Sequence, residues 1–234
     1  MDSEHVLTSD FAPVAALLAD RARAAMLTAL LDGRPLAAGE LARTAGVSAQ
    51  TASAHLARLL DGGLVTVIKQ GRWRYYRLNG AEVALVIEAL SRISPSVRAR
   101  SLRQSRDAAR LHVARTCYDH LAGEAGVALF AALLDAGLIE PDGEEAYEVT
   151  GKGEERFEAL GLDVPALRRA RRRFAWQCLD WTERRPHLNG ALGAALTSRM
   201  IELGWFERGT TRRALRVTDA GLAGLADSFG CVLP

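Results

Sequence analysis

The stretch that decides the fold runs over Gly39–Leu78 and reads GELARTAGVSAQTASAHLARLLDGGLVTVIKQGRWRYYRL. Its first part predicts a short helix that stops near Gly46, followed by a turn and a second helix that begins at Ser48. Glycine often ends a helix, and serine often caps one. The β-rich runs at 64–68 and 73–78 then predict two strands joined by a short turn. The order is helix, turn, helix and two-stranded wing.

The charges of this stretch indicate what it binds. Between residues 42 and 78 the basic residues outnumber the acids by six to one, a local charge of 6 − 1 = +5, whereas the whole chain of 234 residues carries only +2. A positive field confined to one part of a nearly neutral protein is typical of a surface that faces phosphates. Together with the order of elements, it predicts that the second helix enters the major groove of double-stranded DNA.

The second helix is expected to run from Ser48 to about Leu60. Ala52, Leu56, Leu59 and Leu60 recur at helical spacing and are predicted to face the core. Amide and hydroxyl side chains on the other sides can bond base edges, and the helix start can bind a phosphate. The predicted DNA-contacting residues of the helix and wing are Ser48, Gln50, Thr51, Ser53, His55, Arg58, Lys69, Arg72 and Arg74.

Some of these residues have alternative roles that the sequence leaves open. His55 could contact DNA, or it could pack against the support helix, which is predicted over Leu36–Ala45. The basic residues of the wing could be ordinary surface charges that alternate with Trp73 and Tyr75 along a strand.

Four segments of the first half resemble the ArsR/SmtB family of bacterial winged-helix repressors. They are LLADRARAAMLTALL, the support helix GELARTAGVS, the second helix SAQTASAHLARLLDGGLV and the wing KQGRWRYYRL, and the resemblance covers about residues 14–94. It implies a homodimer in which the helix 81–93 forms part of the seam. It also implies repression of a nearby operon, with release from DNA when an effector binds.

The chain departs from the metal sensors of that family. Those proteins often carry cysteines in an ELCVCDL-like stretch of the support helix, or Asp and His ligands on the dimer helix. The corresponding segments here read ELARTAG and AEVALVIEALSRI and contain neither Cys nor His. The resemblance alone therefore does not predict an arsenic or zinc sensor.

The composition predicts a cytoplasmic protein without a membrane partner. The first ten residues are acidic and lack an apolar signal region. No apolar run approaches the roughly 20 residues needed to cross a bilayer. Three cysteines in a chain with no export signal argue against a disulfide framework.

The second half contains an internal duplication. The motif HLAGxxG at 120–126 returns as HLNGxxG at 187–193, and VTxxG at 149–153 returns at 217–221, so the repeats span about 112–160 and 173–229. A long helix is predicted over 97–122 and would run into the first copy. Each copy is predicted to contain a helix, a second helix, a small hairpin and a final helix. Each copy looks like a winged-helix unit whose helices are too apolar to read DNA.

The expected fold class is therefore mainly α with small β-wings. We expect an N-terminal winged helix-turn-helix domain for DNA binding and dimerisation over 1–95, ending near Pro95. Tandem degenerate winged-helix-like repeats, which form an effector-sensing domain, should occupy 96–234.

The duplication produces two similar sets of side chains, Cys117 with Asp119 and His120, and Cys178 with Asp180 and His187. They could form an effector pocket in which the two thiolates bind a soft metal or metalloid. They could equally be buried structural cysteines, because free cysteine is among the most buried residue types. Trp181 and other aromatics of this half could line a pocket for an organic effector or pack in the core. The candidate effector-binding residues are Cys117, His120, Cys178, Trp181 and His187, and no other cofactor is expected.

The sequence favours a dimeric DNA-binding repressor, released by a small-molecule or metal effector in the C-terminal half, over an enzyme. It contains no phosphate loop, dinucleotide fingerprint or HExxH motif. The alternative is an enzyme, or a thiol-based redox or metal(loid) sensor, that uses the paired Cys, Asp and His sets. Both copies carry the set although catalysis needs only one, which weighs against the enzyme.

Overall fold

A computed structural model describes residues 9–95 and 101–233. The chain divides into two compact units, Met1–Ile87 and Glu88–Pro234, so the division lies earlier than the boundary predicted near Pro95. The division falls inside the helix Ala81–Ile93. Ala84 and Ile87 of this helix are buried in the first unit, whereas Glu88 pairs with Arg213 of the second unit. Within the described residues, every helix is too short or too polar to span a bilayer.

The first unit is a winged helix-turn-helix fold, as predicted. Its elements are α1 (Ala12–Leu18), α2 (Arg21–Leu30), β1 (Leu36–Ala37), α3 (Ala38–Ala45), α4 (Ala49–Asp61), β2 (Val65–Gln70) and β3 (Trp73–Leu78), followed by α5 (Ala81–Ile93). Asp20 caps α2 by accepting a hydrogen bond from the backbone N–H of Arg23 at 2.9 Å. The helices α2, α3 and α4 pack together around Met26, Leu41 and Leu56, which are fully buried.

Two local predictions for this unit need correction. The support helix begins at Ala38, because Leu36–Ala37 instead forms a short strand that pairs with β3 and makes the order of the sheet β1-β3-β2. Leu60 was predicted to face the core together with its neighbours on α4, but its side chain is exposed, whereas Leu56 and Leu59 are buried as expected.

The second unit consists of helix α6 followed by the two repeats. Its elements are α6 (Leu102–Val113), β4 (Arg115–Cys117), β5 (His120–Ala122), α7 (Glu124–Asp135), β6 (Ile139–Asp142), β7 (Ala146–Val149), α8 (Gly151–Ala159), α9 (Val164–Arg168), β8 (Trp176–Leu179), β9 (Pro186–Asn189), α10 (Gly190–Glu202), β10 (Phe206–Arg208), β11 (Leu215–Val217) and α11 (Asp219–Phe229). Each copy is thus a hairpin, a helix, a second hairpin and a final helix. The predicted duplication is present in the structure.

The first element of each copy was predicted wrongly. The long helix expected over 97–122, of which 97–100 lie outside the described residues, ends at Val113. Residues 115–122 form the hairpin β4–β5, whose two-residue turn requires Tyr118 to adopt a left-handed backbone with φ of 63°. Three-residue strands are too short to show the alternation that separates a strand from a helix, and the apolar spacing therefore looked helical.

The two copies are related by a pseudo-twofold axis, and the second hairpin of each copy pairs with the first hairpin of the other. Ala146 of the first copy pairs with Trp176 of the second, which joins two hairpins into a sheet of order β6-β7-β8-β9. The symmetry-equivalent pair, Arg115 of the first copy and Ala214 of the second, forms an isolated β-bridge. Helix α7 packs on β9 and helix α10 packs on β5, so the helix of each copy also covers the first hairpin of the other. The two copies therefore share one core, centred on Phe130, Leu192 and their neighbours.

Candidate DNA-binding surface and cysteine–histidine cluster

Helix α4 begins at a capped and exposed N-terminus. The Ser48 hydroxyl accepts a hydrogen bond from the backbone N–H of Thr51 at 3.1 Å, and the two hydroxyls lie 2.9 Å apart. The N–H groups of a first helical turn carry partial positive charge and bind anions. This end of α4 can therefore hold a phosphate of the DNA backbone, as the sequence predicts for Ser48 and Thr51.

The polar sides of α4 are open to solvent. Gln50, Ser53 and Arg58 are exposed, and so is Ala54, whose methyl group leaves space next to a base edge. The Ser53 hydroxyl donates to the Ala49 carbonyl oxygen at 2.9 Å and keeps its lone pairs as acceptors. An amide, hydroxyls and a guanidinium on one exposed helix are the groups that hydrogen-bond base edges and phosphates in a major groove.

His55 is mostly buried, unlike the other predicted DNA-contacting residues of α4. Its side chain is only 16% exposed, and its Nδ1 lies 3.5 Å from Arg23 Nη1 and 3.7 Å from Asp20 Oδ1. The ring is therefore held against the start of α2 by groups that the spacing of α4 could not reveal. The DNA contact of His55 stays a prediction, with only this small exposed fraction of the ring available for it.

The wing carries its basic side chains outward. Lys69 and Arg74 are opposite each other in the β2–β3 ladder, and both are exposed. Arg72 lies in the turn between β2 and β3, with its guanidinium over the ring of Trp73 at 5.3 Å. These three cations extend the positive surface that begins at α4.

In the second unit, two hairpins each place a cysteine opposite a histidine. Cys117 pairs with His120 across the two-residue turn of β4–β5, and Cys178 pairs with His187 across the longer loop of β8–β9. The four donor atoms all lie within 4.8 Å of one another. We refer to these four residues as the cysteine–histidine cluster.

The cluster is shielded from solvent. Its side chains belong to residues that are 1–8% exposed, and the two imidazole rings stack with their centroids 5.1 Å apart. His120 Nε2 and His187 Nε2 face each other at 3.2 Å. Each copy thus contributes one sulfur and one imidazole nitrogen to a common buried centre.

Glycines allow the helices to lie close to the hairpins that form the cluster. A Cβ at Gly126 would lie 2.5 Å from the Leu121 carbonyl oxygen, and one at Gly193 would lie 2.6 Å from the Leu188 oxygen. Both Cβ positions also lie within 3.6 Å of the histidine Cβ of the other copy. The close packing of helix on hairpin therefore requires the last glycine of the repeated motif HLxGxxG.

A carboxylate lies near the Nδ1 atom of each imidazole of the cluster. Asp119 Oδ1 lies 3.5 Å from His120 Nδ1, and Asp180 Oδ2 lies 3.6 Å from His187 Nδ1, slightly beyond hydrogen-bond length. Both aspartates follow their cysteine by two residues. In both copies, Nδ1 is directed to a carboxylate and Nε2 to the centre of the cluster.

Asp180 also anchors the surrounding backbone. It accepts hydrogen bonds from Arg115 Nη2 at 2.7 Å, from the N–H of Gly123 at 2.8 Å and from the N–H of Thr182 at 2.8 Å. The side chains of Asp180 and Arg115 are 0% and 1% exposed. Burial alone would raise the pKa of Asp180, but the charge of Arg115 lowers this pKa below the usual range of an aspartate. The carboxylate is therefore ionised at neutral pH.

The surroundings of the cluster shift the pKa values of its two histidines in opposite directions. A hydrogen bond with Cys178, and then burial, raise the pKa of the Cys117 thiol well above its usual value. Burial alone would lower the pKa of His120, but the Cys117 sulfur and the Asp119 carboxylate raise it to about 9. Burial, followed by the charge of His120, lowers the pKa of His187 well below its usual value, so its imidazole is neutral at pH 7.

A family model described as a helix-turn-helix domain matches residues 18–68. The chain is also 44% identical over 215 residues to the uncharacterized HTH-type transcriptional regulator YdfF of Bacillus subtilis strain 168, and the match covers 92% of this chain and 95% of that protein. The chain belongs to the HTH-type transcriptional regulators. DNA binding through the helix-turn-helix domain is thus the general activity of this regulator.

Two solved structures that are similar to the regulator each cover little more than a third of it. HlyU from Vibrio cholerae is 34% identical and covers 35% of this chain and 88% of its own, with a TM-score of 0.33. A homodimeric winged helix-turn-helix domain from Mycobacterium bovis, described as a possible ArsR-family regulator, is 32% identical and covers 37% and 86%, with a TM-score of 0.32.

The structure brings together four of the five candidate effector-binding residues of the regulator. Trp181 is the exception, because its ring lies under the Arg115 guanidinium at 4.8 Å and is 40% exposed. The sequence reasoning missed Arg115 itself, whose role depends on a partner 65 positions away.

Replacement of the buried carboxylate should destabilise the second unit of the regulator. We expect Asp180→Ala to lower the free energy of unfolding by about 3–5 kcal/mol, because the Arg115 charge would remain buried without its partner. Urea denaturation followed by circular dichroism measures the change. As a control, Glu207→Ala removes an exposed partner of Arg216 and should cost less than about 1 kcal/mol. Equal losses in the two variants would contradict this account.

The pH dependence of this contribution has a definite sign. Because the folded-state pKa of Asp180 is lowered, its stabilising effect is complete above the ordinary pKa of an aspartate and is lost as the pH falls below it. The difference in unfolding free energy between the native chain and Asp180→Ala should therefore shrink on acidification. A difference that grew as the pH fell would contradict the lowered pKa.

Proposed function

We propose that this regulator is a dimeric repressor which binds operator DNA through α4 and the wing and is released when an effector binds in the C-terminal half. The observation that carries the DNA-binding part is the exposed polar surface of α4, whose opposite face is fully buried. The fold needs Ala52, Leu56 and Leu59 on that helix, whereas Gln50 is exposed. Such side chains are available to read a sequence.

An apolar stripe on α5 supports the dimer. Val86, Leu90 and Ile93 are exposed by 46%, 39% and 82%, and their spacing of four and three residues places them on one side of the helix. Exposed apolar side chains that adjoin one another often mark an association surface. A twofold dimer through α5 would present two α4 helices to two half-sites about one turn of DNA apart, roughly 34 Å.

The cysteine–histidine cluster supports an effector role for the C-terminal half. The helices of both copies are closely packed against its hairpins, so that any change at the cluster would alter the packing of the whole unit. Thiol and imidazole groups respond to metal ions and, for thiols, to oxidants. The aromatic residues support an organic pocket less well, because Phe130 packs against Tyr147, Trp205 against Phe229 and Trp176 under Arg173.

The recognition role of α4 can be tested at Gln50. We expect Gln50→Ala to weaken operator binding by about 1–3 kcal/mol, a roughly five- to 150-fold loss of affinity, because an amide can make paired hydrogen bonds with an adenine. Fluorescence anisotropy with operator DNA measures it. The control Gln104→Ala removes an exposed amide of α6 and should bind normally. Unchanged affinity and sequence preference for Gln50→Ala would remove this residue from the readout.

The wing should contribute charge rather than sequence readout. Arg72→Ala and Arg74→Ala are each expected to reduce the slope of log affinity against log salt concentration by about 1 and to weaken binding to all sequences alike. Anisotropy titrations at several salt concentrations supply the slope. Arg216→Ala is a control, since this arginine is also exposed but lies in the second unit. If both wing variants kept the native slope, the wing would not contact phosphates.

The dimer surface can be tested with one charge. We expect Leu90→Glu to convert the protein to a monomer in sedimentation velocity and to weaken operator binding, because a carboxylate would be buried at the seam. Leu222→Glu is a matched control, since Leu222 is a leucine of α11 that is exposed by 46%. A Leu90→Glu protein that remains dimeric would exclude this face of α5 as the interface.

A further inference from the structure

We propose that the cysteine–histidine cluster is a tetrahedral binding site for one transition-metal ion of the zinc class, with Cys117, His120, Cys178 and His187 as its four ligands. The site lies in the duplicated half, and its four ligands belong to neither the support-helix segment nor the dimer-helix segment. The inference goes beyond the proposed function and does not require it, since metal binding can be measured without DNA.

The distances within the cluster suit such an ion. Zn²⁺ binds imidazole nitrogen at about 2.0–2.1 Å and thiolate sulfur at about 2.3 Å. At tetrahedral angles two nitrogens are then separated by about 3.3 Å and two sulfurs by about 3.8 Å. The two Nε2 atoms lie 3.2 Å apart, and the four donors lie within 4.8 Å of one another. Small side-chain adjustments would therefore bring the four donors to bonding distance from a central ion.

The orientation of both imidazoles is the one that metal coordination requires. A metal-binding histidine presents one ring nitrogen to the ion and directs the other to a carboxylate, a carbonyl or water. In the cluster each Nε2 faces inward, and each Nδ1 faces Asp119 or Asp180. Neither feature is needed to pack an apolar core, and both occur in the two copies alike.

The donor set selects the class of ion. Two thiolates and two imidazoles favour borderline or soft ions and disfavour Mg²⁺ and Ca²⁺, which prefer oxygen ligands. Two thiolates also neutralise a divalent charge, so that the complex can be buried without a net charge. All four positions are occupied by protein ligands, which is typical of structural zinc rather than catalytic zinc.

The connectivity of the ligands gives the ion a mechanical role. One cysteine–histidine pair comes from the first hairpin of each copy, so the ion would cross-link the two repeats at their pseudo-twofold axis. Because such a site does not exist in the unfolded chain, the free energy of metal binding adds to the stability of the folded second unit.

Cobalt substitution tests the site directly. The full-length protein, reduced and stripped of metal by a chelator, is titrated with Co²⁺ alone. We expect one equivalent to produce the intense visible bands of tetrahedral cobalt and a thiolate-to-cobalt charge-transfer band, and one equivalent of Zn²⁺ to abolish them. Cys117→Ser with Cys178→Ser should lose both signals, whereas Cys231→Ser, at a buried cysteine outside the cluster, should keep them. The proposal is overturned if the native chain gives no such bands or if the double variant keeps them.

A second measurement on the native chain covers the case in which the double variant does not fold. Alkylation of the reduced protein followed by peptide mass spectrometry reports the labelling of each cysteine. We expect Zn²⁺ to slow the labelling of Cys117 and Cys178 by at least tenfold relative to the stripped protein, with a smaller effect on Cys231. Labelling rates that are independent of Zn²⁺ would overturn the proposal. A disulfide between Cys117 and Cys178 in a protein that binds no Co²⁺ would also overturn it and favour a thiol switch.

Discussion

The buried carboxylate of Asp180 is the constraint on which the second unit depends. Its oxygens hold the guanidinium of Arg115 in the first copy, the backbone at the start of α7 and the loop that follows Asp180 itself. An ionised group with so little solvent contact is stable only where charge and hydrogen bonds replace water. The hairpin of one copy is thereby fixed against the hairpin of the other, and the cysteines and histidines meet as a consequence.

The two copies are alike in backbone but unequal in charge. Asp119, the counterpart of Asp180, is partly exposed and pairs with Arg172 and not with an arginine of the opposite hairpin. Arg172 in turn donates to the side-chain oxygen of Asn189 at 2.9 Å. One carboxylate therefore stabilises the interior, whereas the other fixes a segment between the copies. The two copies therefore share a sequence pattern but use its carboxylates differently.

Much of the first unit could be predicted because its signals are local. The cap at Ser48, the buried positions of α4 and the two strands of the wing each depend on residues within a few positions of one another. His55 could not be placed in this way, because Asp20 and Arg23 approach it from another helix. In the second half, repetition indicated which residues correspond, but three-residue strands left the first hairpins unrecognised. The pairing of Cys117 with Cys178 needed the fold as well as the sequence.

The exchanged strand pairing makes the second unit an internal dimer. A single copy would leave the edge of β7 without Trp176 and the apolar surface of α7 without β9. Unpaired strand edges and bare apolar faces promote association with another chain. An ancestor with one repeat could have satisfied both surfaces only by self-association, so the fusion of two copies converts a concentration-dependent assembly into a property of one polypeptide.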